Sequence, residues 1–236
     1  AAGIIRYFQA KGYQDLVIME GSWVGAETEQ AFRVCGYREL ASRYGVELVD
    51  LKKDRTVRKK TPEGEITVCS TPLGVDFLIN LPVLKAHCQT QLTCALKNLK
   101  GCLPDHEKRR FHRLGLHRPI AQLASVLPAH LTIVDAICGD LTFEEGGNPA
   151  PMGRLLAGTD PVLVDSYAAS LLGLRAAEIP YITMAAALGV GEADCATAEV
   201  VEVNPEAKTP GSFQLSGRAR ELARLIEEQK ACSACY

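Results

Sequence analysis

The chain has 236 residues, of which 47% are hydrophobic and 23% are charged, and its formal net charge is −2. This composition is ordinary for a soluble globular protein, and a net charge so close to zero argues against a general nucleic-acid-binding protein. No apolar run approaches the ~20 residues that cross a bilayer, and the N-terminus lacks the regions of a signal peptide.

Short apolar segments alternate with helical patterns along the chain. Residues 16–19, 46–51, 75–81 and 131–137 are predicted strands, and helices are predicted at 2–11, 27–35 and 37–44. This alternation is typical of parallel α/β sheets. We therefore predict one α/β domain over residues 1–236, in which these four strands form a single, largely parallel sheet flanked by helices.

The rest of the chain continues the pattern. Further predicted helices are residues 90–99, 119–127, 162–172, 180–188 and 216–230, and further strands are 65–70, 154–157 and 200–203. Asp160 and Pro161 are a typical helix start, with an N-cap residue followed by proline. No motif for a serine hydrolase, a P-loop nucleotide-binding protein or a dinucleotide-binding domain is present.

Residues 82–118 are the most basic part of the chain. From Lys85 to Arg118 there are eight Lys and Arg and two acidic residues, which gives 8 − 2 = +6. We expect this segment to cross the C-terminal edge of the sheet, where open α/β sheets place ligands. Two explanations for the charge stay open: an anion-binding site and a solvated basic surface.

Four residues of this segment are candidates for binding a carboxylate or a phosphate. Lys85 and His87 are two apart after a strand, so they share one face, and Lys97 and Asn98 follow on the next predicted helix. Lysine supplies a point charge and asparagine a neutral donor. The sequence thus predicts an anion-binding site for a small molecule.

Acidic candidates follow the basic segment. Asp135 lies near a strand end, and Glu145 lies in the glycine-rich loop 139–153. Both are candidates for a general base or a divalent-metal ligand opposite the basic residues. Asp165 lies one turn into a helix and would need a partner if buried, for which one of the basic residues is a candidate.

The nine cysteines are an odd number and are scattered through apolar segments, which favours a reducing cytoplasm over a disulfide framework. We expect Cys35, Cys69, Cys138 and Cys195 to be free thiols in the core. Cys232 and Cys235 form a CxxC pair, which is half of a zinc or iron–sulfur site. The sequence begins without Met and stops after this pair, so we expect truncation at one or both ends.

Several motifs resemble a known family in the same order along the chain: NLPVLKAH, ALKNLKGCLP, KRRFHRLG, VDAICGDLTFEEGGNP and GTDPVLVDSYAASLLG. They resemble the bacterial and archaeal "domain of unknown function 362" family over about Asp15 to Leu174. In this resemblance Lys85, His87, Lys97 and Asn98 match family positions, as do Lys108 and His112. Some members carry iron–sulfur motifs, usually in an added ferredoxin-like segment. The resemblance implies a family and not a reaction.

Two functions therefore remain open from the sequence. One is binding of, or catalysis on, a small anionic molecule, and this needs no residue outside the chain. The other is a redox protein with a redox partner, in which the CxxC pair and further cysteines hold an iron–sulfur cluster. We favour the first, in a cytoplasmic protein with no nucleic-acid or membrane partner.

Overall fold

A computed structural model of the protein describes residues 1–140 and 149–203. The strands in these ranges are β1 Val17–Glu20, β2 Glu47–Asp50, β3 Thr56–Thr61, β4 Gly64–Cys69, β5 Ile79–Asn80, β6 Val83–His87, β7 Gln91–Thr93, β8 Leu131–Asp140 and β9 Pro149–Gly158. The helices are α1 Ala2–Ala10, α2 Thr28–Val34, α3 Tyr37–Tyr44, α4 Thr71–Gly74, α5 Ala95–Asn98, α6 Asp105–Leu114, α7 His117–Val126, α8 Pro161–Leu171 and α9 Pro180–Ala187. No helix in this part of the chain is long and apolar enough to cross a membrane.

The largest sheet is built around β8. On one side β8 pairs in parallel with β5 and then with β6, and Ile79–Leu131 and Val83–Asp135 have the same offset. These two short strands are thus one strand interrupted at Pro82, which has no N–H to donate. Strand β7 pairs antiparallel with β6, and β9 pairs antiparallel with the opposite side of β8.

The α/β class is confirmed, but the predicted single sheet is wrong. Strands β1 and β2 form a separate parallel pair, and β3 and β4 form a separate hairpin. The β1–β2 unit has its own small core of Ile5, Ala41 and Val46. Apolar runs indicate that a strand is buried, but they do not indicate which strand it pairs with.

The basic segment 82–118 does more than cross the edge of the sheet, because β6 and β7 are strands within it. The predicted helix 90–99 is wrong in its first half. Gln91 has a φ of 62°, which is in the left-handed region, residues 91–93 form strand β7, and the helix begins only at Ala95. Leu92 is fully buried as part of strand β7, so its helical spacing to Ala95 and Leu99 was misleading.

The predicted helix cap at Asp160 is confirmed, and the predicted strand at 200–203 is wrong. Asp160 caps α8 as predicted, since its Oδ1 accepts hydrogen bonds from the N–H groups of Val162 and Leu163 at 2.8 and 3.0 Å. The predicted strand 200–203 is wrong, because these residues are not extended partners of any described strand. The predicted helix 216–230 lies outside the described residues.

Candidate functional site

Lys85 occupies the centre of a polar row at the C-terminal ends of the parallel strands β6 and β8. It pairs with Thr93 of β7 on one side and with Asp140 of β8 on the other. Residues directly opposite one another in a sheet project from the same face, with Cβ atoms about 5 Å apart. The backbone positions of a lysine, a threonine and an aspartate are therefore neighbours in the sheet.

Lys97 joins this row from α5. Its Nζ atom donates a hydrogen bond of 2.9 Å to Oγ1 of Thr93, and the residue is only 5% exposed. Thr93 is therefore both the ladder partner of Lys85 and the hydrogen-bond acceptor of Lys97. The structure thus places the backbone of Lys85 next to the residue that binds Lys97.

His87 lies two residues beyond Lys85 on β6, so both side chains project from one face of the sheet. It is buried, and its Nδ1 accepts hydrogen bonds from the backbone N–H groups of Gln89 and Thr90, both at 3.1 Å. In the neutral ring the proton is therefore on Nε2. This arrangement fixes the imidazole beside the row.

The acidic residue beside Lys85 is Asp140, which sequence reasoning missed. Strand β8 continues to Asp140, three residues beyond its predicted end, and a register irregularity places Asp140 opposite Lys85. Asp135 pairs instead with Val83 and Leu155, is exposed, and accepts a hydrogen bond from the N–H of Ile137 at 3.0 Å. Asp140 lies inside the motif VDAICGD, which is the signal that could have found it.

The side chain of Asn98 hydrogen bonds to Asn80 and not to the polar row around Lys85. Its Nδ2 donates to Oδ1 of Asn80 at 2.8 Å, and Nδ2 of Asn80 donates to the carbonyl of Ala95 at 2.8 Å. Asn80 is buried at the end of β5, so this pair of amides ties α5 to the sheet. Asn98 therefore fixes the helix that carries Lys97.

Lys108 and His112 lie in a second cluster on α6. The buried Nζ of Lys108 donates to the carbonyl oxygens of Gly21 and Ser22 at 2.9 and 2.7 Å, and burial lowers its pKa. His112 lies with its Nε2 3.3 Å from Nζ of Lys100. Lys108 thus holds the loop that follows β1. Glu20, the last residue of β1, has a pKa raised chiefly by desolvation.

Asp165 is completely buried, and no lysine of the described ranges forms an ion pair with it. Its two carboxylate oxygens accept hydrogen bonds from the backbone N–H groups of Ala95 and Leu96, at 2.6 and 3.1 Å. Burial raises its pKa to about 7, although these hydrogen bonds oppose the shift. The carboxylate predicted to face the basic residues therefore caps the helix that carries one of them.

The cysteine predictions are correct in part. The described cysteines are free, and Cys69 is buried, but Cys35 and Cys138 are exposed and Cys195 is partly exposed. Cys94, which the sequence did not single out, is buried, and burial raises its thiol pKa well above the ordinary value. Edge and loop positions next to apolar runs can thus remain in contact with solvent.

The metal predictions have no counterpart in the described part of the chain. Within residues 1–140 and 149–203, no group of three or more His, Cys, Asp or Glu is arranged to hold a metal ion. Glu145, Cys232 and Cys235 lie outside these ranges, so their roles stay predictions. Two concave regions lie elsewhere, one of about 320 Å³ beside Pro128 and Val190 and one of about 480 Å³ beside Arg6.

Comparison with known proteins gives a family match and a relative. The family described as "Domain of unknown function (DUF362)" matches residues 1–170. The chain is also similar to the thylakoid-associated protein sll1697 of Synechocystis sp. (strain ATCC 27184 / PCC 6803 / Kazusa), with 29% identity over 164 residues. This match covers 64% of the chain and 49% of the relative, so the chain spans about half the length of that protein.

Proposed function

Because this chain belongs to the domain of unknown function family DUF362, whose description specifies no reaction, we propose a function from its geometry. The protein binds a small carboxylate- or phosphate-bearing molecule at the C-terminal ends of β6 and β8. The observation that carries this proposal is that Thr93 is the ladder partner of Lys85 and also accepts a hydrogen bond from Lys97. The opposing explanation, a solvated basic surface, does not account for the burial of Lys97.

The chemistry of the row suits an oxyanion. Hydrogen bonds from ammonium groups to carboxylate or phosphate are about twice as strong as neutral ones. The hydroxyl of Thr93 adds a third polar group, and the ring of His87 lies farther along the same face. The site follows the rule that open α/β sheets bind ligands outside the carboxyl ends of their strands.

Asp140 gives the same site an acidic side. Its carboxylate stands beside Lys85 at the position that the sequence analysis assigned to Asp135 and Glu145. An enzyme acting on an anionic substrate needs cations that bind the anion and a base within reach of the bound molecule. We propose Asp140 as that base, should the protein carry out catalysis on its ligand.

The experiment is titration of the full chain with sodium sulfate or inorganic phosphate by calorimetry at constant ionic strength. Lys85→Met and Lys97→Met remove one charged donor each and keep most of the apolar stem. A hydrogen bond to a charged group is worth about 1.5–3 kcal/mol, so each variant should bind at least about tenfold more weakly. Lys60→Met is the matched control, because Lys60 is exposed on β3. Equal binding by all three variants would contradict the proposal.

The iron–sulfur alternative rests on Cys232 and Cys235 and on the family resemblance. In the described ranges burial raises the pKa values of the thiols of Cys69, Cys94 and Cys102. An absorption spectrum and iron analysis of the full-length protein, purified without oxygen, would test for a cluster.

The cytoplasmic location also stays a proposal, and the printed name of the relative associates that protein with thylakoids.

A further inference from the structure

Helix α5, which carries Lys97, is held by a carboxylate from a distant part of the chain. It has a single turn, and so short a helix is not stable by itself. Its first N–H groups have no partner within the helix. Those of Ala95 and Leu96 donate to the two oxygens of Asp165 on α8, 70 and 69 residues away in the sequence. Asp165 therefore determines where α5 begins.

The surroundings of Asp165 contain polar groups but no compensating cation. The side chains that hydrogen bond to it are the thiol of Cys94 and the phenol of Tyr181. The hydroxyl oxygen of Tyr181 also lies 3.2 Å from the carbonyl oxygen of Leu92, so its one hydrogen has two neighbouring acceptors. The ring of Tyr181 stacks on His117 with centroids 5.9 Å apart. In the described part of the chain no Lys, Arg or His forms an ion pair with Asp165. The negative charge therefore depends on neutral donors.

We propose that Asp165 is a positioning residue for the anion site, and that the site loses affinity when this carboxyl group takes up a proton. This inference rests on the proposed function. An ionised carboxylate accepts from both backbone N–H groups, whereas a protonated one carries a hydrogen on one oxygen. That oxygen no longer accepts in the same geometry. Lys97, which directly follows the capped residues, then loses its fixed position relative to Thr93 and Lys85.

The direction and size of the pH effect follow from the environment. Burial raises the pKa of Asp165 to about 7, so the ionised fraction rises from about one tenth at pH 6 to about nine tenths at pH 8. If only the ionised form binds, apparent affinity rises about tenfold across this interval. By linkage, anion binding should also release protons near pH 7.

The test is calorimetric titration of the full chain with sulfate between pH 6 and pH 8 at constant ionic strength, because sulfate itself does not titrate there. Two buffers of different ionisation enthalpy at pH 7 report proton release. Affinity should rise about tenfold with pH, and protons should be released on binding. Asp165→Asn should bind weakly at every pH and lose the pH dependence, while His117→Gln should retain it.

The outcomes separate the two proposals. Sulfate binding that is constant or falls as pH rises, without proton release, overturns the role of Asp165 and leaves the anion site standing. Absence of sulfate binding by the unaltered protein at every pH overturns the anion site and, with it, this inference. If Asp165→Asn does not fold, the pH profile and the proton release of the unaltered protein decide the question.

Discussion

Nζ of Lys97 donates a hydrogen bond of 2.9 Å to Oγ1 of Thr93, whose backbone neighbour across the ladder is Lys85. This hydroxyl links the strand part and the helix part of the proposed anion site. Its sequence position, between Leu92 and Cys94, has no feature that marks it as a binding residue. The relationship depends on β7 pairing with β6 in this register.

Replacing Thr93 with Val tests this link. Valine has nearly the same shape but cannot accept the hydrogen bond from Lys97 or donate one to an anion. We expect sulfate affinity to fall about fivefold or more, since a neutral hydrogen bond contributes about 1 kcal/mol. Calorimetry measures the change. Thr67→Val on β4 is the control. If both substitutions change sulfate affinity equally, Thr93 has no specific role in the anion site.

Lys108 should prove to be structural. Lys108→Met removes the donor from the carbonyls of Gly21 and Ser22, and unsatisfied buried groups cost about 1–3 kcal/mol each. The free energy of unfolding should fall, while sulfate affinity should stay within about twofold. Urea denaturation and calorimetry measure the two quantities. Arg109→Met, at an exposed position on the same helix, should change neither. If Lys108→Met lowers sulfate affinity and leaves the free energy of unfolding unchanged, Lys108 is a residue of the anion site and not a structural one.

The loop after β1 packs closely against the 3-10 turn Leu99–Cys102. A Cβ atom at Gly21 would clash with the backbone carbonyl oxygen of Gly101. Gly21→Ala should therefore lower the free energy of unfolding by about 1–3 kcal/mol or more, as overpacking does. Gly3→Ala is the control, because its Cβ meets no atom and helix α1 should gain about 0.5–1 kcal/mol. Thermal unfolding that ranks the two variants in the reverse order would contradict this packing.

Asp165 should make stability fall as pH rises. Its pKa is about 7 in the folded protein and near 3.8 in the unfolded chain, so between these values only the folded state holds the proton. The contribution of Asp165 to the free energy of unfolding is therefore fully present below about pH 4 and is lost as pH rises through 7. Asp165→Asn should lack this contribution. Urea denaturation at pH 5, 6, 7 and 8 should show a difference between the two proteins that changes steadily in favour of the variant. Parallel pH profiles would contradict the raised pKa.

Local patterns in the sequence determined much of the secondary structure. The helices 37–44 and 180–188, the cap at Asp160 and the position of the basic segment could be predicted, because helix starts and hydrophobic periodicity depend on neighbouring residues. Lys85 and His87 were correctly placed on one face for the same reason, since alternation along a strand is local.

Tertiary structure decided how these elements meet. Whether β1 and β2 join the large sheet depends on backbone hydrogen bonds between distant segments, and apolar runs do not encode that choice. A register irregularity in β8 places Asp140 beside Lys85, where the unbroken offset of Val83 and Asp135 would place Ile137, and the antiparallel pairing of β7 places Thr93 on the other side. The buried carboxylate of Asp165 accepts hydrogen bonds from two backbone N–H groups instead of pairing with a lysine. The end of α5 supplies these donors, and burying them does not require the desolvation of a second charged group.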